Sequence, residues 1–276
     1  MGKKEILHIV NNVISYFDIE LRPKHDSTSD TSTAGLGEHK VSCDLNTMST
    51  QGMSMPSWED RIVHAKNLGF EAREIFDVGA FTGLWAKNIS LIYPGSKIIA
   101  IEPNPHIQYE LSHNLSSIIP APIILQRAAA DQNSSMLFNI WGDPKKATSA
   151  SLQEHVRGDA DTQLAVQTTT LDSIAEEFNF EPNLVKLDLQ GAEVSALNGA
   201  KELLKSVEMF LVEFGCLDAY VGRSTPRQLL DIFYDNNYCL YDIVDCHYRP
   251  YDGALTGGDF IFVKNTSKLR HYKNWD

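Results

Sequence analysis

Four carboxylates stand at the ends of short apolar runs: Asp77 in EIFDVG, Glu102 in KIIAIEP, Asp188 in LVKLDLQG and Glu213 in MFLVEFG. A fifth, Asp259 in GGDFIF, opens another run. Carboxylates gathered at neighbouring strand ends can grip a pair of hydroxyls, share a proton, or bind a divalent metal or a polar substrate. Two glycines follow the first acid, in the spacing Asp-x-Gly-x-x-x-Gly of Asp77, Gly79 and Gly83. Gly79 lets the backbone turn with no Cβ in the way, and a helix starting after Gly83 aims its N–H groups at whatever fills the turn.

The ligand of that turn is constrained by what is missing. Phe81 stands where the dinucleotide fingerprint G-x-G-x-x-G has its second glycine, which counts against a pyrophosphate and against NAD-dependent hydride transfer. An acid just ahead of the turn opposes a pyrophosphate and suits a ligand that carries a cation. S-adenosylmethionine, with its ammonium and sulfonium, is such a ligand. Glu102 follows the turn at close to the ~20 residues expected of an acid that holds ribose hydroxyls.

Those residues need a scaffold, and the rhythm of the chain supplies one. Short apolar runs at Glu74–Gly79, Lys97–Pro103, Pro122–Ala130, Leu184–Gly191 and Met209–Gly215 read as buried strands. Helical patterns at 58–68, 83–93, 105–117, 171–179, 192–205 and 225–237 fall between them. MLFNIW (136–141) and LAVQTTT (164–170) read as strands with no helix between. YCLYDIVD (238–245) and GDFIFVK (258–264) close the chain as an antiparallel pair. Alternation of strand and helix predicts an α/β fold, a doubly wound and mostly parallel sheet edged by one reversed strand. If that last strand runs backwards, Asp259 starts at the ligand end of the sheet.

Before this core lies an amphipathic segment, with Ile6, Val10, Val13, Ile14, Phe17 and Leu21 at helical spacing. It must pack on something, either the core or a second copy in a homodimer. HDSTSDTSTAGLG (25–37) reads as a flexible connector. The expected division is therefore residues 1–55 as helix and linker and residues 56–276 as the functional domain.

The bulk composition narrows the partners. A formal net charge of −12, with Lys and Arg scattered, excludes nucleic acid as the natural substrate. No apolar run approaches the ~20 residues of a membrane span. The N-terminal segment does not read as a signal peptide, since His8, Asn11 and Asn12 interrupt it, and a myristoylation signal fails at Glu5-Ile6. Cys43, Cys216, Cys239 and Cys246 form no C-x-x-C pair, so they read as reduced thiols of a cytoplasmic protein and no metal site is assigned.

The stretches FDVGAFTGLWA, AIEPNP, TTLDSI, LVKLDLQGAEVSALNGA and LVEF, in this order, resemble the FkbM-type S-adenosylmethionine methyltransferases. The resemblance covers roughly residues 55–265 and is most specific in the fourth stretch. It implies a class I methyltransferase fold with a seven-stranded sheet. It also implies methylation of hydroxyl groups of polyketides, sugars or related metabolites, so that the partner is a small-molecule or glycan acceptor. Phe81 departs from the small polar residue common at its position in the family. By the match, Asp77, Gly79, Thr82 and Gly83 surround the methionine part of the cofactor, with Ala80 and Phe81 in the same turn. Glu102 holds the ribose, Pro103 and Asn104 shape the rim, Arg127 and Ala128 lie by the adenine, and Asp188 and Gln190 end the fourth strand beside the transferred methyl.

For the chemistry, Asp188 or Glu213 is expected to take or steer the acceptor's proton, with His247, between the last two strands, as the runner-up. Glu193 sits in a first helical turn, where the dipole favours a carboxylate. Trp85 and Phe81 could face a sulfonium through their rings. Two further readings stay open: an NAD-dependent oxidoreductase, and a non-catalytic module of the same fold that binds a partner. Loops 142–162 and 245–257 are expected to carry acceptor selectivity.

Overall fold

Strands that are apolar on both faces must be covered by helices on both sides, and the centre of this molecule is built that way. The computed structural model describes residues 56–156 and 158–274; the N-terminal amphipathic segment, the connector and Cys43 lie outside the described residues. The seven strands of the main sheet are β1 (Glu74–Val78), β2 (Lys97–Ile101), β3 (Ile123–Leu125), β7 (Leu184–Leu187), β8 (Met209–Gly215), β9 (Tyr238–Tyr248) and β10 (Leu255–Lys264). Their order is β3-β2-β1-β7-β8-β10-β9. All neighbours pair parallel except at β10, which runs against both β8 and β9. The reversed strand therefore lies one place in from the edge. Chain order turns back between β1 and β7, so the switch point at which such sheets bind ligands lies over their carboxyl ends.

Side-chain alternation splits the core into two layers. Phe76, Val78, Val185 and Phe210 pack on one face of the sheet, and Ile75, Leu184, Met209 and Leu211 on the other. Local signals start the covering helices. α1 (Trp58–Asn67) begins with a capping box between Ser57 and Asp60. α2 (Leu84–Ile92) follows Gly83, and α3 is Gln108–Leu115. α4 (Leu171–Phe178) is capped by the Thr170 side chain. α5 (Glu193–Asn198) and α6 (Leu203–Ser206) replace the single helix expected over 192–205. The break falls at Gly199, where a Cβ would come within 2.2 Å of the Ala130 carbonyl oxygen. α7 (Pro226–Asp235) starts from a Thr225–Gln228 capping box with Pro226 in the first turn.

The third strand also divides. PIILQRAAA pairs with β2 only over β3; after Arg127 it leaves the sheet, and β4 (Ala128–Ala129) pairs with β6 (Thr162–Thr169). β6 in turn pairs antiparallel with β5 (Ser134–Ile140), giving a second sheet of order β4-β6-β5. The two helix-free strands of the sequence thus form a flap of their own. Its hydrogen bonds carry it over the carboxyl end of the main sheet: Asn104 Nδ2 donates to the Pro144 carbonyl at 2.8 Å, and Ser151 Oγ to that of Gln190 at 3.0 Å. Tyr220 Oη closes the arrangement by donating to the Ser149 carbonyl at 2.9 Å. No helix among the described residues is long and apolar enough to cross a membrane.

Candidate functional site

Two cavities meet at Asp188 and Gln190, and the flap covers the first of them. The first, ≈ 150 Å³, sits over the ends of β1, β2 and β7. From the β1 turn it takes Gly79 and Phe81, and from the end of β2 it takes Glu102, Pro103 and Asn104. Arg127 and Ala128 come from the break after β3, and Asp188 and Gln190 from the end of β7. These nine are residues singled out in the sequence. Asp77, Ala80, Thr82 and Gly83 do not reach the cavity wall; they lie behind it.

The backbone explains the shape of the turn. Gly79 and Gly83 have φ of +80° and +79°. A Cβ on Gly79 would fall 1.9 Å from the Asp188 carbonyl oxygen, and one on Gly83 would meet Leu111 and Leu115 at under 3 Å. Both glycines thus permit close packing of strand end and helix. Phe81, between them, holds φ +46°, a conformation that a bulky residue rarely adopts and that asparagine tolerates better. It is kept there by its N–H, which donates to Glu102 Oε2 at 2.9 Å. The Asn104 N–H donates to Oε1 of the same carboxylate at 2.8 Å. Glu102 is 5% exposed, and burial pushes its carboxyl up to about 7 against these two hydrogen bonds.

Behind the wall lies a charged cluster. Asp77 and Lys186 are register partners on one face of the sheet, with Lys186 Nζ 3.6 Å from Asp77 Oδ1 and 3.2 Å from Asp188 Oδ2. Burial raises the Asp77 carboxyl, with the Lys186 ammonium opposing it. Burial works against the Lys186 charge, but Asp188 and Asp77 outweigh it and hold the ammonium above its usual range. Lys186 also keeps Asp188 low, against the partial burial of its side chain. Trp85 packs against the Trp58 ring at 5.3 Å and has the Lys186 ammonium 5.9 Å from its own, behind the cavity wall.

The second cavity, ≈ 310 Å³, opens over β7, β8 and β10. Asp188, Glu213 and His247 all line it, as does Asp259, which stands opposite Glu213 in the β8–β10 register. The Gln190 side chain joins the acids. Its Nε2 donates to Asp188 Oδ1 and to both oxygens of Glu213, each at 3.0 Å. Gln190 reaches this place from a left-handed backbone, φ +52°, once β7 has ended at Leu187. Burial and the Asp188 charge raise Glu213 well above the carboxylate range, and burial with Asp188 carries Asp259 up to about 7. Glu193, 1% exposed, accepts the N–H groups of Leu189 and Gly191 at 3.0 Å, so it braces the exit from β7. Among the described residues no group of three or more His, Cys, Asp or Glu is arranged to hold a metal ion.

Phe138 of the flap, in the first cavity, and Tyr220 and Arg223, between β8 and α7, in the second, were not singled out in the sequence. Ala147, Thr148, Ala150 and Leu152, from the 142–162 loop expected to carry acceptor selectivity, line the first cavity instead. Apart from Thr148 the flap residues are apolar, and they become wall because β5 and β6 fold back over the main sheet. The absence of a crossover helix between β5 and β6 was the available signal.

The profile described as "Methyltransferase FkbM domain" matches residues 77–242. A curated relative, the 2-O-methyltransferase NoeI of Sinorhizobium fredii, is 25% identical over 170 residues, which are 57% of this chain and 70% of the relative. Among solved structures, the methyltransferase FkbM of Methylobacillus flagellatus matches with TM-score 0.45 and 16% identity over 68% of this chain. That match spans 43% of the Methylobacillus chain. The fibrillarin of Aeropyrum pernix, crystallised with natively bound S-adenosyl-L-methionine, matches with TM-score 0.41 and 14% identity over 74% of each chain.

Proposed function

The chain belongs to the FkbM methyltransferase family, and from that premise we propose that it moves a methyl group from S-adenosylmethionine to a hydroxyl of a small metabolite, sugar or glycan. The domain that does so is residues 56–276. One observation carries the reading: two cavities meet at Asp188 and Gln190, at the switch point of the sheet, one walled by Glu102 and the other by Asp188 and Glu213. The hydroxyl acceptor draws support from the Sinorhizobium relative, which is described as a 2-O-methyltransferase.

The residues of the first cavity suit an adenosine. Glu102 is a nearly buried acceptor whose oxygens each take one backbone N–H, leaving a lone pair on each for a ribose hydroxyl. Ile101, Ala128, Phe138 and Leu152 offer apolar walls for a flat base. When bound, S-adenosylmethionine supplies an electrophilic methyl on a positively charged sulfur. The protein's part is to hold the acceptor in line and to exclude water. Positioning of this kind can supply ~7–11 kcal/mol, whereas a general base adds ~10²–10⁴-fold. An alcohol that loses its proton late needs only a weak base. Asp188, kept ionised by Lys186, accepts the hydroxyl's hydrogen bond and then its proton. Glu213, raised well above the usual carboxylate range by burial and the Asp188 charge, stands beside it. Gln190 keeps the two carboxyl groups together, and His247 lines the far wall.

Calorimetry with S-adenosylmethionine and with NAD tests the donor: binding of NAD alone would overturn the reading in favour of an oxidoreductase. Transfer of labelled methyl to a panel of hydroxylated acceptors tests the reaction, and label that never leaves the donor across the panel would favour a binding module. Asp188→Asn should abolish transfer while leaving donor binding and the fold intact.

A further inference from the structure

The second cavity contains a cation that its own acids do not use. Arg223 lies in the connection between β8 and α7 and lines the cavity together with Asp188, Glu213 and Asp259. Among the described residues it forms no ion pair with any carboxylate. Its Nη1 donates to the Leu217 carbonyl at 2.7 Å, and its Nε is buried with no hydrogen-bond partner. A buried guanidinium N–H left unpaired costs the protein stability, which calls for a compensating partner.

The fold also makes room for this side chain. A Cβ on Gly215 would fall 1.9 Å from Arg223 Nη2, and one on Gly191 would fall 3.0 Å from the Arg223 Cβ. Two glycines, Gly191 in the turn after β7 and Gly215 at the end of β8, thus form the slot in which the arginine lies. Its backbone is pinned. The Ser224 N–H donates to the Gly191 carbonyl at 2.8 Å, and Ser224 Oγ donates to the same oxygen at 2.9 Å and accepts the Val194 N–H at 2.8 Å. An arginine with a fixed backbone, a glycine slot and unspent donors is pre-organised for a planar anion.

The acids around it do not forbid an anion. The Lys186 ammonium, 3.2 Å from Asp188 and shared with Asp77, offsets part of the local negative charge, and burial raises Glu213 well above the carboxylate range and Asp259 up to about 7. Each of these effects lowers the negative charge that an anion meets there.

We propose that Arg223 is the specificity residue of the acceptor cavity and binds an anionic group of the acceptor, a carboxylate or a phosphate, while the acceptor's hydroxyl faces Asp188. This rests on the methyltransferase reading for the identity of the second cavity. It narrows the acceptor from hydroxyl compounds in general to hydroxylated anions.

The test uses the full chain with S-adenosylhomocysteine present, and glycerol 3-phosphate, glycerate and glycerol as probes in calorimetry. Glycerol 3-phosphate or glycerate should bind and glycerol should not; which anion binds more tightly identifies the group. Arg223→Gln should weaken the anion roughly 10- to 100-fold, the range for loss of a charged hydrogen bond, without changing S-adenosylhomocysteine affinity. Arg223→Lys should fall between, since it keeps the charge and loses the fork. Equal anion affinity in wild type and Arg223→Gln, or equal binding of glycerol, overturns the proposal. If Arg223→Gln does not fold, phenylglyoxal labelling of Arg223 in the wild type replaces it, with protection by the anion expected and absence of protection refuting. An Arg223-dependent anion site in a protein that does not bind S-adenosylhomocysteine would remove the methyltransferase reading alone. Donor binding with no anion effect would remove only this proposal.

Discussion

Lys186→Met should reveal what holds the site together. Lys186 is 8% exposed and Asp77 0% exposed, and both oxygens of Asp77 lack a hydrogen bond, so the ammonium is the principal compensation for that buried charge. Removing one partner of such a pair typically costs ~3–5 kcal/mol, because the other is left charged out of water. Asp188 loses its counter-ion too, but its side chain is 37% exposed and water takes over much of that role. With a urea dependence toward the upper end of ~1–3 kcal/mol per molar, the unfolding midpoint should fall by roughly 1–2 M at pH 8. Asp77 relieves the penalty by taking up a proton. Its folded pKa then rises further above the unfolded value, so stability is fully kept below the unfolded pKa and lost as pH rises through the folded one. The defect should therefore be smaller at pH 5 than at pH 8. Asp77→Asn combined with Lys186→Met should recover most of the loss, since neither charge remains. Urea titrations followed by circular dichroism at the two pH values give the measurement. A single variant that loses less than ~1 kcal/mol at pH 8, or a double variant no more stable than the single, refutes the reasoning built on a pair cost of that size.

Glu102→Gln should flatten the dependence of stability on pH. Glu102 is raised from 4.5 to about 7 in the fold, so it stabilises below 4.5 and that contribution disappears as pH rises to about 7; parallel wild-type and variant profiles over this window would refute it. Gln190→Asn keeps a residue that tolerates the left-handed backbone but shortens the amide out of reach of Glu213. It should lose ~1–3 kcal/mol, with the loss growing as pH rises and Glu213 ionises beside the Asp188 charge; a pH-independent loss would mean that the amide does not hold the pair.

Much of this architecture was legible along the chain. β1, β2, β7 and β8 are short runs buried on both faces, and a covered parallel strand announces itself by exactly such uniform apolarity rather than by alternation. The helices over 58–68, 171–179 and 225–237 begin within a residue of where periodicity placed them, each at a Ser or Thr cap that acts within three residues of its own position. Glu102, Asp188 and Glu213 could be placed at one end of the sheet because strand direction follows from the crossover helices.

What the chain order left open depended on contacts between distant segments. The break after Arg127 is set by a distant segment: Ala128 and Ala129 pair with Thr168 and Thr169, about 40 residues on, and no longer with β2. Gly199 ends a helix because the Ala130 carbonyl crosses there, and no local signal records that approach. Arg223 is a surface arginine by composition; only the slot between Gly191 and Gly215 turns it into the cation of a cavity. Residue types and periodicity determined which strands are buried, where helices begin and which acids share an edge, since those follow from neighbours a few bonds away. Tertiary structure decided which of those groups face one another and which are shut behind the wall, because burial and pairing are properties of the assembled space.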